Sequence, residues 1–210
     1  MDIHKVYRIL EKRYHLYKTP VVELIQEQTK DPFKVLLATM LSARTQDSTT
    51  KEACKRLFKV VNNLEDLDKI SKDRLQSLIY PVGFYRQKAT HLKKWYSILG
   101  DKFSFSIPKT IDELILLPGV GRKTANLVLA TAFTIPAICV DVHVHRICNR
   151  LGYIKTKTPF ETEMKLREIL PKEYWISFNT FLVAFGQNHC RPISPKCSTC
   201  QITDECQKVL

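Results

Sequence analysis

The chain of 210 residues contains no long hydrophobic run. No apolar stretch approaches the roughly 20 residues that a membrane-spanning helix requires. The N-terminal sequence MDIHKVYRILEKRYH is amphipathic and highly charged, and it lacks the apolar segment of a secretory signal. We therefore expect an intracellular protein with no membrane association, located in the cytoplasm or nucleoid if the source is prokaryotic.

Strand-like patterns, low-complexity linkers and internal repeats are also missing. No segment alternates convincingly between apolar and polar residues, as a half-buried strand would. Signals for helix starts are frequent instead, for example Asp31 before Pro32 and the capping-box spacings Thr110–Glu113 and Thr158–Glu161. The sequence therefore predicts an all-α fold of about ten helices.

Capping residues and glycines predict several helix boundaries. Ser71 and Asp47 are each expected to cap the helix that follows. A single helix is expected from Phe84 to a glycine stop at Gly100, and another from about Glu173 to Phe185, before Gly186.

Acidic residues are scarce relative to basic ones. The chain has 21 Asp and Glu against 33 Lys and Arg, which gives a net charge of +12. Such an excess favours a polyanionic partner, of which nucleic acid is the first candidate. A solvated basic surface is the alternative, and charge alone does not decide between them.

The stretch LPGVGRKTAN, residues 117–126, lacks the features of a nucleotide-binding loop. It has no third glycine after Gly119 and Gly121, and a capped helix rather than a strand precedes it, which excludes a dinucleotide-binding turn. The spacing also differs from that of a P-loop. What remains is a helix, a glycine hairpin and a second helix, whose backbone N–H groups can hold a phosphate without reading bases. A plain corner between two helices is the structural alternative.

Two charged residues fall at predicted helix starts. Lys123 lies in the first turn after the hairpin, where the helix dipole and neighbouring Arg122 disfavour a second cation. A neutral lysine amine can act as a nucleophile, whereas a charged lysine here would contact a phosphate. Asp141 is predicted to cap a helix that ends at Gly152, and capping alone would explain its presence.

Seven cysteines in a chain expected to be intracellular need an explanation other than disulfides. Four of them form a C-x6-C-x2-C-x5-C pattern at the C-terminal end, namely Cys190, Cys197, Cys200 and Cys206. Four thiolates this close predict a metal site, and the spacing alone leaves structural zinc and an iron–sulfur cluster both open. The other three, Cys54, Cys139 and Cys148, are expected to be small buried side chains.

Taken together, LPGVGRKTAN, VDVHVHR and the cysteine tail resemble the endonuclease III family, iron–sulfur DNA glycosylases of the helix-hairpin-helix superfamily. The stretches LSARTQD and VGFYRQKA are similar to that family as well, and the resemblance extends from about Pro32 to Cys206. It implies two helical lobes with a DNA-binding cleft between them. The six-helix lobe with the hairpin would comprise residues 25–135, and the cluster lobe residues 1–24 and 136–210.

The resemblance also implies site residues and an activity. The four cysteines would hold a [4Fe-4S] cluster, and the catalytic lysine and aspartate would be Lys123 and Asp141. A lysine at this position indicates a bifunctional enzyme, which removes oxidised pyrimidines and cleaves the abasic site by β-elimination through a lysine Schiff base. The residues that fill the gap left by a flipped base would be Arg44 and Phe84, although the family usually has glutamine at the position of Arg44.

Further DNA contacts are expected from the hairpin, from the helix that follows Asp141 and from the loop between the first two cysteines. These residues are Gly119, Val120, Gly121, Arg122, Thr124, His143, Arg191 and Lys196. The expected partner is double-stranded DNA containing damaged pyrimidines or abasic sites, bound by a monomer.

Two other functions remain open at this point. A monofunctional mismatch glycosylase would use a water molecule activated by Asp141, and Lys123 argues against it. A non-catalytic DNA-binding module with a structural metal site would fit the net charge and the hairpin equally well, but it leaves the pairing of Lys123 with Asp141 unexplained.

Overall fold

The computed structural model describes residues 1–208 of the chain. Every regular element within this range is helical, in agreement with the predicted all-α class. The α-helices are α1 (Ile3–Tyr14), α2 (Val21–Thr29), α3 (Pro32–Ser42), α4 (Asp47–Leu57), α5 (Leu64–Lys69), α6 (Lys72–Ile79), α7 (Tyr85–Leu92), α8 (Trp95–Phe103), α9 (Ile111–Leu114), α10 (Arg122–Phe133), α11 (Val142–Leu151), α12 (Pro159–Ile169) and α13 (Trp175–Asn188). Three short 3-10 helices span Lys172–Tyr174, Cys197–Thr199 and Thr203–Glu205. None of the described helices is long and apolar enough to cross a membrane.

The chain divides into two compact units. One comprises Val21–Ile135, and the other comprises Met1–Pro20 together with the chain from Pro136 onward. The first boundary lies at the start of α2 rather than within it at 24/25. The reason is that α2 buries Val22 and Ile25 and packs along α3, so the whole helix belongs to the Val21–Ile135 unit.

The core of the Val21–Ile135 unit is built around α3. Asp31 caps this helix by accepting a hydrogen bond from the N–H of Phe33 at 2.9 Å, and Pro32 occupies its first turn. Eight consecutive or near-consecutive positions of α3 are buried, because α2 and α10 both pack against it. An almost uniformly apolar helix is stable only when neighbours cover it on all sides, and here they do.

The segment expected as a single helix from Phe84 to Gly100 is divided into α7 and α8. Lys93 and Lys94 form a turn between the two helices, although both keep right-handed helical dihedrals. Lys93 is the C-cap of α7, and its ammonium donates to the carbonyls of Leu67 and Ile70 at 3.1 and 2.8 Å. Gly100 is not a helix end but lies inside α8. It is needed there because a Cβ would come within 2.7 Å of the ring of Phe105.

Two other predicted boundaries are displaced. Asp47 is the first residue of α4 rather than its cap, and its carboxylate accepts a hydrogen bond from the N–H of Val21 at 3.3 Å instead. The predicted helix before Gly186 continues through that glycine to the end of α13. A Cβ on Gly186 would come within 2.5 Å of Nδ1 of His143, so the glycine permits close packing of α13 on α11.

The core of the other unit is formed by α13 and by α1 and α11, which both pack against it. Leu10, Val144, Ile147, Phe178 and Leu182 are among its buried side chains. Three of the four clustered cysteines, together with several partly buried aromatic residues, pack against this core.

Cys54, Cys139 and Cys148 are buried, as the sequence predicts. Burial raises the pKa of the Cys54 thiol to about 12 and also raises that of Cys148. These thiols remain protonated at neutral pH and act as small apolar side chains.

Candidate nucleic-acid interface and cysteine site

The predicted hairpin connects α9 to α10 through a short series of turns. The N–H of Leu117 donates to Leu114 at 3.1 Å, and the N–H of Val120 donates to Leu117 at 3.0 Å. Trp95, which is fully buried in α8, donates its indole N–H to the carbonyl of Pro118 at 3.0 Å. The buried Trp95 side chain therefore anchors the hairpin from within the core. The sequence pattern does not reveal this contact.

The two glycines of the hairpin differ in what requires them. Gly119 has a φ of +84°, and a Cβ there would lie 2.8 Å from Nδ1 of His91 and 3.0 Å from Cε of Met40. Gly121 has ordinary extended geometry, and a Cβ would meet nothing within 4 Å. The fold therefore requires Gly119, whereas Gly121 leaves open space at the start of α10.

That open space faces the first turn of α10, which begins at Arg122. The N–H groups of a first helical turn have no carbonyl of their own helix to bond, so they suit an anion. Lys123 is exposed in this turn. Val120 and Thr124 have buried side chains, and they can offer DNA only their main-chain groups.

Asp141 caps α11, as predicted. Its Oδ1 accepts hydrogen bonds from the N–H groups of His143 and Val144, at 2.8 and 2.9 Å. Both capping bonds are accepted by the same oxygen, so Oδ2 takes no part in the cap. Capping and a chemical role are therefore compatible in this half-buried carboxylate.

Arg44 and Phe84 lie together, as the predicted joint role requires. Both are exposed, and the Arg44 guanidinium lies 5.6 Å from the centroid of the Phe84 ring. Both also have left-handed backbone geometry, with φ of 54° and 57°. Arg44 follows the end of α3, and Phe84 immediately precedes α7.

The four clustered cysteines line one cavity, whose other walls include Ile147, Leu151, Phe185 and Ile202. Burial raises the pKa of the Cys200 thiol, and the nearby thiols of Cys190, Cys206 and Cys197 raise it further. Across residues 1–208, no three His, Cys, Asp or Glu side chains converge as ligands of one metal ion.

Two arginines of α11 that the sequence analysis did not single out hold the cysteine loop. Arg146 donates to the carbonyl of Cys190 at 2.8 Å. Arg150 donates to the carbonyls of Arg191 and Pro192 at 2.6 and 2.8 Å, and it lies 3.6 Å from Sγ of Cys190. Their spacing of four residues on one helix face is the only sequence signal that could have indicated this shared role.

The remaining expected DNA contacts lie on the surface of the same unit. Arg191 and Lys196 are exposed on the loop between the first two cysteines. His143 and Arg191 line one shallow pocket together with Gly186, Gln187 and Ile193. The structure thus brings together His143, whose main-chain N–H donates to Asp141, and Arg191 of the cysteine loop.

Comparisons with known proteins agree with these features. Residues 37–172 match the family described as HhH-GPD superfamily base excision DNA repair protein. The chain is 46% identical over 177 residues to endonuclease III of Thermotoga maritima, covering 84% of this chain and 83% of that protein. It is 34% identical to endonuclease III of Bacillus subtilis, covering 99% and 94%. A solved structure of a non-covalent endonuclease III–DNA complex superimposes with a TM-score of 0.87 at 36% identity, covering 98% of this chain and 94% of that one.

Proposed function

Because this chain belongs to the HhH-GPD superfamily of base excision DNA repair proteins, we propose that it is a bifunctional DNA glycosylase and abasic-site lyase. It is an enzyme of DNA base excision repair. Its substrate is double-stranded DNA that contains oxidised pyrimidines or abasic sites, on which it acts inside the cell as a monomer. The relatives and the solved DNA complex support DNA as the partner.

Lys123 supplies the nucleophile in this proposal. The observation that carries it is the position of an exposed lysine in the first turn of the helix that the hairpin opens. The neutral amine attacks C1′ of the damaged nucleotide, and the C1′–N bond to the base breaks. The departing base takes up a proton, the bound amine loses one, and the C1′–O4′ bond of the sugar opens with a proton transferred to O4′, which gives an imine. The imine acidifies the C2′ proton, and its removal expels the 3′ phosphate, so β-elimination cleaves the strand on the 3′ side of the lesion.

Asp141 assists base departure. Its Oδ1 is used by the helix cap, and Oδ2 can face the positive charge that develops on the sugar. The same carboxylate can take part in the proton transfers that accompany imine formation. The helix cap fixes the carboxylate in one orientation, which favours both roles.

Access to the reacting sugar requires the damaged nucleotide to leave the duplex. Phe84 and Arg44 fill the resulting gap, the ring as an apolar wedge and the guanidinium as a hydrogen-bond donor to the unpaired base. Gly121 and the N–H groups that follow it hold a phosphate, with Arg191 and Lys196 providing further phosphate contacts. These contacts are independent of base sequence, as a search for damage requires.

The four cysteines hold a [4Fe-4S] cluster. All four line one largely apolar cavity, and four cysteine thiolates are the usual ligand set of such a cluster. Arg150 beside Cys190 Sγ provides a hydrogen-bond donor to a thiolate, a common feature of such sites. In this proposal the cluster organises the cysteine loop, and no chemical step of base excision passes through it.

Borohydride trapping on a duplex with one oxidised pyrimidine tests the nucleophile. Wild-type protein should give a covalent protein–DNA adduct, and Lys123→Ala should give none. Lys109→Ala, which removes another exposed lysine of the same unit, is the matched control and should trap at wild-type yield. An adduct that persists at full yield in Lys123→Ala would rule out this lysine as the nucleophile.

Asp141→Asn separates catalysis from capping, because asparagine caps helices about as well as aspartate. We expect unchanged unfolding free energy and DNA affinity with loss of most base excision. Unchanged excision would reduce Asp141 to a cap. Excision by wild-type protein without any trapped adduct would instead favour the monofunctional mechanism, and no excision of any lesion would favour a DNA-binding module.

A further inference from the structure

Lys88 in α7 is a buried lysine that the proposed chemistry does not use. It is 7% exposed, and lysine side chains are rarely buried to this degree. Its ammonium nitrogen donates to the carbonyls of Leu41 and Ala43 at 2.8 and 2.7 Å and to Oγ1 of Thr45 at 3.4 Å. All three acceptors belong to the end of α3 and the loop that follows it.

These acceptors surround Arg44 in the sequence. The last carbonyls of a helix have no intrahelical donor, and a cation placed there also suits the negative end of the helix dipole. Lys88 is the donor to these carbonyls at the end of α3, those of Leu41 and Ala43, just before the chain reaches Arg44. It therefore holds the main chain before Arg44, at Leu41 and Ala43, and contacts the side-chain hydroxyl of Thr45 after it.

The main chain of Lys88, in turn, is bonded to Phe84. Lys88 lies in the first turn of α7, and its N–H donates to the carbonyl of Phe84 at 3.0 Å. The side chain of Lys88 thus bonds to the segment around Arg44, and its main chain bonds to Phe84.

A second contact joins the two loops beside this lysine. The N–H of Gly83 donates to Oγ1 of Thr45 at 3.1 Å, so that hydroxyl serves both Gly83 and Lys88. The loops approach so closely that a Cβ on Gly83 would lie 2.5 Å from the carbonyl oxygen of Arg44. Left-handed backbone geometry is unfavourable for residues other than glycine, so the packing of these two loops must hold it at Arg44 and Phe84.

We propose that Lys88 is a positioning residue for DNA distortion, which holds the main chain before Arg44 in the arrangement that inserts the Arg44 side chain, next to Phe84, beside a flipped nucleotide. This inference rests on the proposed function of that pair. Lys88 touches neither the DNA nor the reacting sugar in this proposal. It acts through Arg44, so its effect should disappear once the Arg44 side chain is removed.

Lys93 offers a matched control within the same unit. Its ammonium donates to the carbonyls of Leu67 at 3.1 Å, of Ile70 at 2.8 Å and of Asp68. The chemistry is the same as at Lys88, a lysine bonded to carbonyls at the end of a helix, here α5. The difference is that Lys93 holds no residue of the proposed DNA-distorting pair.

The test is a double-mutant cycle on DNA binding. The probe is a duplex containing one tetrahydrofuran abasic-site analogue, which cannot form an imine, opposite 2-aminopurine, whose fluorescence rises when it is unstacked. Affinity and fluorescence are measured for wild type, Lys88→Met, Arg44→Ala and the double variant, and for the corresponding cycle with Lys93→Met. Circular dichroism and urea unfolding accompany each variant.

We expect Lys88→Met and Arg44→Ala each to weaken binding about tenfold and to reduce the fluorescence rise, a change of about 1.4 kcal/mol. The double variant should be no weaker than Arg44→Ala alone, because both changes remove one interaction. Lys93→Met should leave the fluorescence rise at the wild-type level, and any effect it has should multiply with that of Arg44→Ala.

If the effects of Lys88→Met and Arg44→Ala multiply independently, Lys88 is only a structural residue and the inference is wrong. Should Lys88→Met not fold, Thr45→Val carries the same cycle, because it removes the hydroxyl shared with Gly83 while keeping the side-chain shape. Failure of the proposed function gives a different result, a wild-type protein that neither forms a trapped adduct nor prefers the tetrahydrofuran duplex over undamaged DNA.

Discussion

Lys88 carries its charge where burial opposes it. Burial lowers the pKa of its ammonium to about 8 from an ordinary value of 10.5, so the folded protein releases this proton at lower pH than the unfolded chain does. Below about pH 8 both states are protonated, and the cost of burying the charge is fully present. Between about pH 8 and 10.5 the unfolded chain binds more protons, so the contribution of Lys88 to stability rises with pH.

Urea unfolding of wild type and Lys88→Met at about pH 7 and pH 9.5 measures this contribution. The difference in unfolding free energy, wild type minus variant, should be larger at the higher pH, because only wild type is relieved of a buried charge. The comparison between two proteins cancels other titrating groups. A difference that does not grow with pH would show that the surrounding carbonyls retain the proton throughout this range.

Alanine substitution of the two hairpin glycines should affect different properties, stability at Gly119 and DNA affinity at Gly121. Gly119→Ala forces a side chain into left-handed geometry against His91, and we expect the free energy of unfolding to fall by roughly 1–2 kcal/mol or more. Gly121→Ala meets open space, so stability should stay within about 0.5 kcal/mol, while affinity for duplex DNA should fall because the methyl group obstructs a phosphate. Urea unfolding and DNA binding, measured on both variants, test these two expectations. Wild-type DNA affinity in Gly121→Ala would show that no phosphate binds at this position.

At the scale of helices, the boundaries set by local chemistry could be predicted from the sequence. The residues predicted as caps accept main-chain hydrogen bonds at the starts of α3, α6, α9, α11 and α12, namely Asp31, Ser71, Thr110, Asp141 and Thr158. A cap involves a side chain and N–H groups two or three residues away, so it is almost independent of the rest of the fold.

Boundaries that depend on distant residues could not be predicted. The division between α7 and α8 occurs at a lysine that bonds to the end of α5, and Gly100 and Gly186 are glycines because of rings that pack over them. The same limit applies to the candidate site. Lys123, Asp141 and the cysteines stand out as motifs, whereas Lys88 and Arg150 act through carbonyls more than 40 residues away in sequence.

Arg150 shows how one helix can order the loop that we propose to bind DNA. It bonds to the carbonyls of Arg191 and Pro192, and Arg150→Met leaves those carbonyls without this donor. We expect Arg150→Met to lower DNA affinity several-fold although the side chain itself contacts no phosphate, whereas Arg191→Ala should reduce the salt slope of binding by about 0.9. Fluorescence anisotropy across a salt series measures both, with Arg8→Met, an exposed arginine of α1, as the control. Limited proteolysis of the loop gives the contrary outcome. If Arg150→Met reduces the salt slope of DNA binding but leaves the loop as resistant to proteolysis as in wild type, Arg150 contacts a phosphate directly.

The cysteine site joins the two ends of the chain into one unit, because its thiols pack against a core shared by α1, α11 and α13. Purified protein should contain iron and acid-labile sulfide in equal amounts and absorb broadly in the visible range. Cys200→Ser should lose both and unfold at a lower temperature. Cys54→Ser changes a buried cysteine outside the cysteine cluster, so this variant should keep its iron and colour. Zinc in place of iron would refute the cluster.

The net charge of +12 acts at the scale of the whole molecule, and it predicts how binding depends on salt. Each phosphate neutralised releases counterions and adds about 0.9 to the slope of log K against log salt concentration. Phosphate contacts are blind to the bases, so undamaged duplex and tetrahydrofuran duplex should give the same slope. At every salt concentration the tetrahydrofuran duplex should bind more tightly by the same factor, which is the contribution of Arg44 and Phe84 at the flipped nucleotide. Arg44→Ala should reduce this difference in affinity between the two duplexes. A steeper slope on the tetrahydrofuran duplex would instead mean that damage recognition recruits additional cations, which would assign part of the discrimination to the charged surface rather than to the inserted pair.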